Sequence, residues 1–346
     1  MLAIECYYLH RINILTIGYL MIKFAVIGTN WITQKFVQAA HESQSMQLAA
    51  VYSRNLASAA QFAQEFNVET TYDSLDALAN DNTVEAVYIA SPNSLHCEQS
   101  ILMMEHGKHV ICEKPVASNI EEATHMFEVA QKNGVVLFEA YKSQYLPNFE
   151  QVQLGLKKIG KVHKAHINYC QYSSRYQKYL NGENPNTFNP AFSNGSLVDI
   201  GFYCVAATVA LFGGPENAQA SAKLLDSGVD AHGCAIFQYP EFDVTLAHSK
   251  VSDSYAPSEI QGEQGAIIID HIAECTDVKI RYRDGTVENL TQTQSENSMS
   301  YEAQAFANCI AGDKNTQAQA QLRALTVAKL ITEMRQQVGV VYPADK

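Results

Sequence analysis

Between Met21 and about Tyr141 short apolar runs alternate with helical stretches, and this alternation limits the possible folds more than any other feature. The apolar runs fall at 24–27, 48–52, 85–90, 109–112 and 135–138. Between and after them lie helix-compatible segments at 31–43, 55–66, 74–79, 94–106 and 119–132. Strands that alternate with helices must cross over to pair in parallel, and a parallel sheet must be covered on both faces. Ser94 and Asn119 are good helix N-caps, and Glu122 stands three residues after Asn119. The expected unit is a doubly wound, Rossmann-type parallel sheet over 21–141.

Beyond Tyr141 the pattern changes. A helix is expected near 148–158, a strand at 161–172, and an irregular polar stretch from Ser173 to Asn194. A helix follows at about 198–211. Alternating segments then run from 216 to 291, broken by Gly228, Pro240, Gly262, Gly265 and Asp284-Gly285. Consecutive strands with short turns make an open, mostly antiparallel sheet. Two helices near 299–311 and 317–337 close the chain. The reading is α/β in two units, 21–141 for nucleotide and 142–346 for substrate and subunit contacts. Residues 1–20, broken by Glu5, His10, Arg11 and Asn13, make a poor membrane span and a poor signal peptide. They are expected to be an extension outside the fold.

At 346 residues with 47% apolar side chains, the chain can bury two cores. Its formal charge of −12 argues against nucleic acid or an anionic membrane as partner. The eight cysteines never form a CxxC, so neither zinc nor a disulfide framework is expected, and a reduced, cytoplasmic protein is. Exposed strands of the second unit suggest a homodimer.

Five segments carry chemistry. Gly28-Thr29-Asn30-Trp31-Ile32-Thr33 stands where a dinucleotide fingerprint belongs, though only its first glycine is present. Asn30 tolerates a left-handed turn, and the N–H groups that open the next helix would face a pyrophosphate. Ser53 and Arg54 follow the second strand, where NAD enzymes place an acid for the ribose hydroxyl. A hydroxyl and a guanidinium there suit a 2′-phosphate, so NADP is favoured over NAD, which stays possible; the alternative is a solvated arginine. Ser91-Pro92-Asn93-Ser94-Leu95-His96 lies at another strand's carboxyl end, where Asn93 and His96 could donate to cofactor oxygens; the alternative for this lone histidine early in a helix is a structural role.

In Cys112-Glu113-Lys114-Pro115, the proline restrains the residue before it and holds Lys114 at a strand end, where open sheets place ligands. In Asp199-Ile200-Gly201-Phe202-Tyr203, the acid and the phenol are four apart and share a helical face. Gly201 admits a close neighbour. A nearby ammonium such as Lys114 would favour the phenolate; a tyrosine simply bonded to the aspartate is the structural alternative. Tyr141, Tyr172 and Arg175 fall near the unit junction or in the polar stretch and are candidate substrate contacts, with a solvated loop as the alternative.

Together these segments resemble the Gfo/Idh/MocA oxidoreductases, from Met21 to the C-terminus. The strongest part of the likeness runs from Ser91-Pro92-Asn93 through His106-Gly107-Lys108-His109-Val110-Ile111-Cys112-Glu113-Lys114-Pro115. The resemblance implies a Rossmann domain followed by an α/β domain with a large open sheet that forms oligomer contacts. It makes Lys114 the catalytic lysine and puts Glu113 near the nicotinamide ribose. Most members carry DxGxH in the second domain; tyrosine stands here instead, as in dimeric dihydrodiol dehydrogenase and NADP-dependent xylose dehydrogenase relatives. The implied reaction is NADP-linked oxidation of a secondary alcohol of a sugar, polyol or cyclic diol. Tyr203 would take the proton, Lys114 would stabilise the alkoxide, and Asp199 would orient Lys114 or the substrate hydroxyl. Alternatives are a nucleotide-binding regulator, or an enzyme that cycles a tightly held cofactor without net redox change.

Overall fold

The computed structural model describes residues 21–346; the expectation for residues 1–20 lies outside them. Six parallel strands form the first sheet: β1 (Ile22–Ile27), β2 (Met46–Tyr52), β3 (Thr71–Tyr72), β4 (Ala86–Ile89), β5 (His109–Glu113) and β6 (Leu137–Ala140). Their order is β3-β2-β1-β4-β5-β6, the doubly wound order that reverses at β1 and opens a crevice at the strands' carboxyl ends. Helices α1 (Trp31–Glu42), α2 (Leu56–Glu65), α3 (Leu75–Ala79), α4 (His96–Glu105) and α5 (Ile120–Asn133) supply the crossovers. Only β3, two residues long, was not marked by an apolar run.

Next come α6 (Pro147–Leu156), β7 (Val162–Cys170), α7 (Tyr176–Leu180), a π-helical turn over Leu197–Gly201 and α8 (Phe202–Phe212). The second sheet is completed by β8 (Asn217–Leu224), β9 (Asp230–Gln238), β10 (Asp243–Ser249), β11 (Ser258–Gly262), β12 (Gly265–Ile269), β13 (Val278–Tyr282) and β14 (Val287–Asn289). Its order is β14-β13-β12-β11-β7-β10-β9-β8, and β7 with β10 is its parallel pair. One face buries Ala165, Ile167, Val244, Leu246, Ile260 and Ile267 against α6 and α8. That core also holds much of Pro190–Phe212, the segment apolar enough to cross a membrane among the described residues.

The chain then returns to the first sheet. Helix α9 (Met299–Ile310) packs on α1, and its Met299, Ala303 and Phe306 join the cluster of Phe24, Val26, Phe36 and Tyr88. Helix α10 (Lys314–Val338) lies along α5 and α8. Residues expected to serve only the second unit therefore also close the first. The cause is apolar cover: burying Phe306 alone is worth roughly 1.5–3 kcal/mol. Buried Arg335 strengthens the tie, donating to Asp345 (2.8 and 2.9 Å), Val340 O (3.1 Å) and Ser118 O (3.1 Å).

Candidate active site

Strand β5 ends at Glu113, and the loop that follows carries Lys114 into the crevice through a cis Lys114–Pro115 peptide. The loop is held at several points. Glu139 Oε1 accepts the Val116 N–H (3.0 Å), Arg335 donates to Ser118 O, and Glu122 Oε2 accepts the Ser118 N–H (2.9 Å). The fully buried His96 ring lies 2.9 Å from Pro115 O and 3.0 Å from Ser91 O through its two nitrogens. That corrects the expectation that His96 donates to a cofactor: both ring nitrogens face main-chain carbonyls, one of which takes the single N–H of the neutral ring, and the side chain packs between the two loops instead. Such a brace fixes Lys114 tightly.

Asp199 approaches Lys114 from the second unit. It sits in the π turn rather than a regular helical turn, a form that recurs at functional sites. Lys114 Nζ donates to Asp199 Oδ1 (2.8 Å) and to its main-chain carbonyl (2.9 Å). A second ammonium, from Lys250 just past β10, bonds Asp199 Oδ2. Burial alone would raise the Asp199 carboxyl, but the two lysines outweigh it and hold the group well below the usual carboxylate range. Burial would likewise depress Lys114; Asp199 and then Glu113 reverse the sign and keep the ammonium above its ordinary value.

Tyr203 opens α8 one turn on, and Lys114 Nζ lies 5.1 Å from its ring centroid. Here the expectation of a lowered phenol needs correcting. Burial first, then the charges of Glu113, Tyr169 and Asp199, push the Tyr203 hydroxyl well above its ordinary value. Lys114 spends its hydrogen bonds on Asp199 and faces the ring, so its charge does not outweigh them. The neighbour that Gly201 admits is the His248 ring, whose Cγ would stand 3.0 Å from a Cβ there.

The expected cofactor residues line the strand ends in different ways. Gly28 adopts φ +108°, and a Cβ on it would meet Ala90 O at 2.9 Å; only glycine suits that turn. Asn30 is not left-handed. At φ −89° it is the N-cap of α1, accepting from Ile32 N (2.9 Å) and Thr33 N (3.2 Å) while donating to Ala90 O (2.9 Å). The side chain therefore occupies two N–H groups assigned to a pyrophosphate. Thr29, Ser53, Ser91 and Pro92 are half-buried at the crevice, with Trp31 and Arg54 exposed. Arg54 makes no ion pair among the described residues. Asn93 Nδ2 donates to Ser193 O (2.8 Å), tying the crevice to the second unit.

A cavity of about 650 Å³ opens beside Tyr203, bounded by Ile32, Glu113, Lys142, Tyr169, Glu274 and Glu302 among others. Lys142 is spent on Glu274 and Ser298, the latter at 3.0 Å. Glu302 is buried, with Oε2 unpartnered. Burial first, and then Glu113, raise its carboxyl well above the ordinary range.

None of the three expected substrate contacts lies on this cavity. Tyr141 is fully buried behind Tyr203 (ring centroids 6.0 Å apart), under the Arg323 guanidinium at 5.1 Å. Tyr172 and Arg175 are exposed on the polar stretch, because their segment runs over the surface rather than into the junction. Sequence reasoning missed Lys250, Tyr169, Lys142, Glu274 and Glu302, which lie far apart in the chain. Only Lys250 carried a signal, a lysine at a strand's carboxyl end as Lys114 is.

The family model described as "Oxidoreductase family, NAD-binding Rossmann fold" matches residues 22–141, and the "GFO/IDH/MocA C-terminal domain" matches 154–268. The chain is 55% identical to the "uncharacterized oxidoreductase" YgjR of Escherichia coli (strain K12), over 94% of this chain and 99% of that protein. It is 48% identical to the scyllo-inositol 2-dehydrogenase (NADP(+)) IolU of Bacillus subtilis (strain 168), over 94% and 100%. Similarity extends to a trans-1,2-dihydrobenzene-1,2-diol dehydrogenase of Xenopus tropicalis, at 27% over 93% and 99%. A solved 3-ketoreductase from Actinomadura kijaniata, in complex with NADP and TDP-benzene, shares the fold with a TM-score of 0.80. It is 21% identical, over 93% of this chain and 99% of that one.

Proposed function

This chain belongs to the Gfo/Idh/MocA oxidoreductases, and on that basis we propose that it is an NADP-dependent dehydrogenase/reductase of a secondary alcohol on an uncharged sugar, polyol or cyclic diol. The observation that carries this reading is the meeting of Lys114 and Tyr203, from opposite units, 5.1 Å apart from ammonium to ring centre, with Tyr203 lining the cavity. The crevice fits the cofactor. The Gly28 turn leaves room that a Cβ would fill, and exposed Arg54, which makes no ion pair among the described residues, offers its guanidinium to a 2′-phosphate. Bound NADP supplies or accepts the hydride.

The side chains supply the proton and the charge. Tyr203, protonated at neutral pH, gives its proton to a carbonyl oxygen in reduction; in oxidation its phenolate, which becomes available as pH rises, takes one from the alcohol. Lys114 stabilises the negative oxygen, and Asp199 fixes the ammonium. Such acid–base assistance is worth about 10²–10⁴ in rate. Glu113, Glu274 and Glu302 line the cavity, whose Lys142 is already paired. Charged or protonated, carboxyl groups accept or share hydrogen bonds with hydroxyls, and the five that line the cavity outnumber its two lysines, which favours a neutral polyhydroxylated substrate.

The test is nicotinamide absorbance with NADP⁺ against scyllo-inositol, D-xylose and trans-1,2-dihydrobenzene-1,2-diol, the substrates that name its relatives. Turnover of at least one is expected, scyllo-inositol first. Tight NADP binding without turnover of any would sink the proposal. Cytoplasmic residence as a homodimer belongs to the same reading. The free cysteines support the first. The second draws on the part-exposed row of Glu259, His166, Thr245 and Ile236 across the second sheet. Sedimentation at micromolar concentration decides it.

A further inference from the structure

We infer that Lys250 is a positioning residue for the proton transfer, and that it acts by sharing Asp199 with Lys114. This rests on the reaction proposed above. Lys250 is 6% exposed and rigidly anchored: its N–H donates to Ala231 O (3.0 Å) and its carbonyl accepts from Ser173 N (2.9 Å). Its ammonium takes Asp199 Oδ2, while Lys114 takes Oδ1 and the main-chain carbonyl. One carboxylate therefore serves two cations.

Sharing has a physical consequence. With Lys114 alone, Asp199 would form a formally neutral pair, and a developing alkoxide or phenolate beside it would meet little net charge. A second ammonium draws part of the carboxylate's field away and leaves Lys114 more effective towards an anionic oxygen. A buried lysine carries a desolvation penalty that a purely apolar side chain would avoid. Stability alone is therefore a poor reason for placing one here.

Other charges face this cluster. Asp230, whose Oδ2 accepts the Leu197 N–H (2.7 Å) and whose carboxyl burial pushes up to about 6, lies near Lys250. The His248 ring, 3.8 Å from Asp230, is pushed down to about 3 by burial and stays neutral. Glu113, Tyr169 and His96 face Lys114, and Glu302 faces Tyr203. Glu113, Tyr169, His96 and Glu302 are not in contact with residue 250; Asp230 is held down in part by the Lys250 charge and would rise in Lys250→Gln, which is why Lys250→Arg, keeping that charge, is the paired comparison.

The experiment compares Lys250→Gln, which can still donate to Asp199 but is neutral, with Lys250→Arg, which keeps the charge. The readout is scyllo-inositol oxidation with NADP⁺ across pH, with NADP affinity measured in parallel. For Lys250→Gln the alkaline limb of kcat should move up by about one pH unit, giving roughly tenfold lower kcat below it. NADP affinity should stay unchanged, and Lys250→Arg should hold the wild-type limb. A Gln variant with the wild-type limb, or Gln and Arg variants equally impaired with unmoved limbs, would overturn the inference. Lys114→Ala is the control. If it is inactive while Lys250→Gln behaves as wild type, this inference alone fails; if it turns over normally, the proposed reaction fails.

Discussion

The Lys114 ammonium stands 5.1 Å from the centre of the Tyr203 ring, while its hydrogen bonds go to Asp199. Charge and proton donor are thus delivered by different units, and Asp199 sets the distance between them. Removing the charge should leave the cofactor crevice standing. For Lys114→Ala, kcat should fall by about 10²–10⁴. NADP affinity by titration calorimetry should change less than tenfold.

Tyr203 gives the reaction its pH dependence. Burial and nearby carboxylates hold the phenol well above its ordinary value, and Lys114 is also held above its own. Around neutrality the phenol is therefore protonated and the ammonium charged. Carbonyl reduction should stay flat through neutral pH and decline only in the alkaline range. Alcohol oxidation should rise with pH over the same span. Tyr203→Phe should remove both trends along with most of the rate, as initial rates in each direction would reveal. A variant that kept the wild-type profile would assign the proton transfer elsewhere.

Much of the first unit was legible because parallel strands leave continuous apolar runs, and Lys114, Asp199 and Tyr203 stood out as polar residues at element ends. Contacts between distant segments were not legible. Nothing near Lys250 in the chain announces that it meets Asp199, and Glu302 reaches the cavity only because α9 folds back onto α1. Tyr141 looked like a cleft residue by position, yet its ring fills the core behind Tyr203. The Tyr203 phenol was misread for a related reason. The sequence shows which charges exist, whereas the sign of a shift depends on where a lysine's hydrogen bonds point.

His96 separates bracing from binding. Its ring lies between Pro115 O, which is buried, and Ser91 O, which is part-buried, and donates its one N–H to one of them. His96→Ala should cost about 1–3 kcal/mol by leaving a buried polar group unpaired. The loss should appear as a lower chemical-denaturation midpoint with or without NADP. Lost NADP affinity with unchanged stability would instead return His96 to the cofactor site.

The cavity's charge predicts its selectivity. The cavity is lined by Lys35 and Lys142 against Glu42, Glu113, Glu274, Glu296 and Glu302, and Lys142 is already paired with Glu274, so carboxyl groups outnumber ammonium groups around an added phosphate or carboxylate on the substrate. A phosphorylated polyol should be turned over with kcat/KM lower than its neutral parent by on the order of a hundredfold. Glu274→Gln, which frees Lys142, should narrow that gap. Equal rates for the charged and neutral substrates would place substrate binding outside this cavity.

Arg54 bears on cofactor choice in a way that can be separated from chemistry. It is exposed just past β2, has no carboxylate partner among the described residues, and lies in a region where an acid would mark preference for an unmodified ribose. A guanidinium gains charge-assisted hydrogen bonds from a 2′-phosphate and nothing comparable from a hydroxyl. Arg54→Ala should therefore weaken NADP binding by about tenfold or more, for a charged hydrogen bond of roughly 1.5–3 kcal/mol. NAD affinity should hardly move, and kcat at saturating NADP should remain near wild type because residue 54 is remote from Lys114 and Tyr203. Parallel titrations of both nucleotides decide the matter. A uniform loss for NADP and NAD would show Arg54 acting on the shared pyrophosphate rather than on the 2′-phosphate.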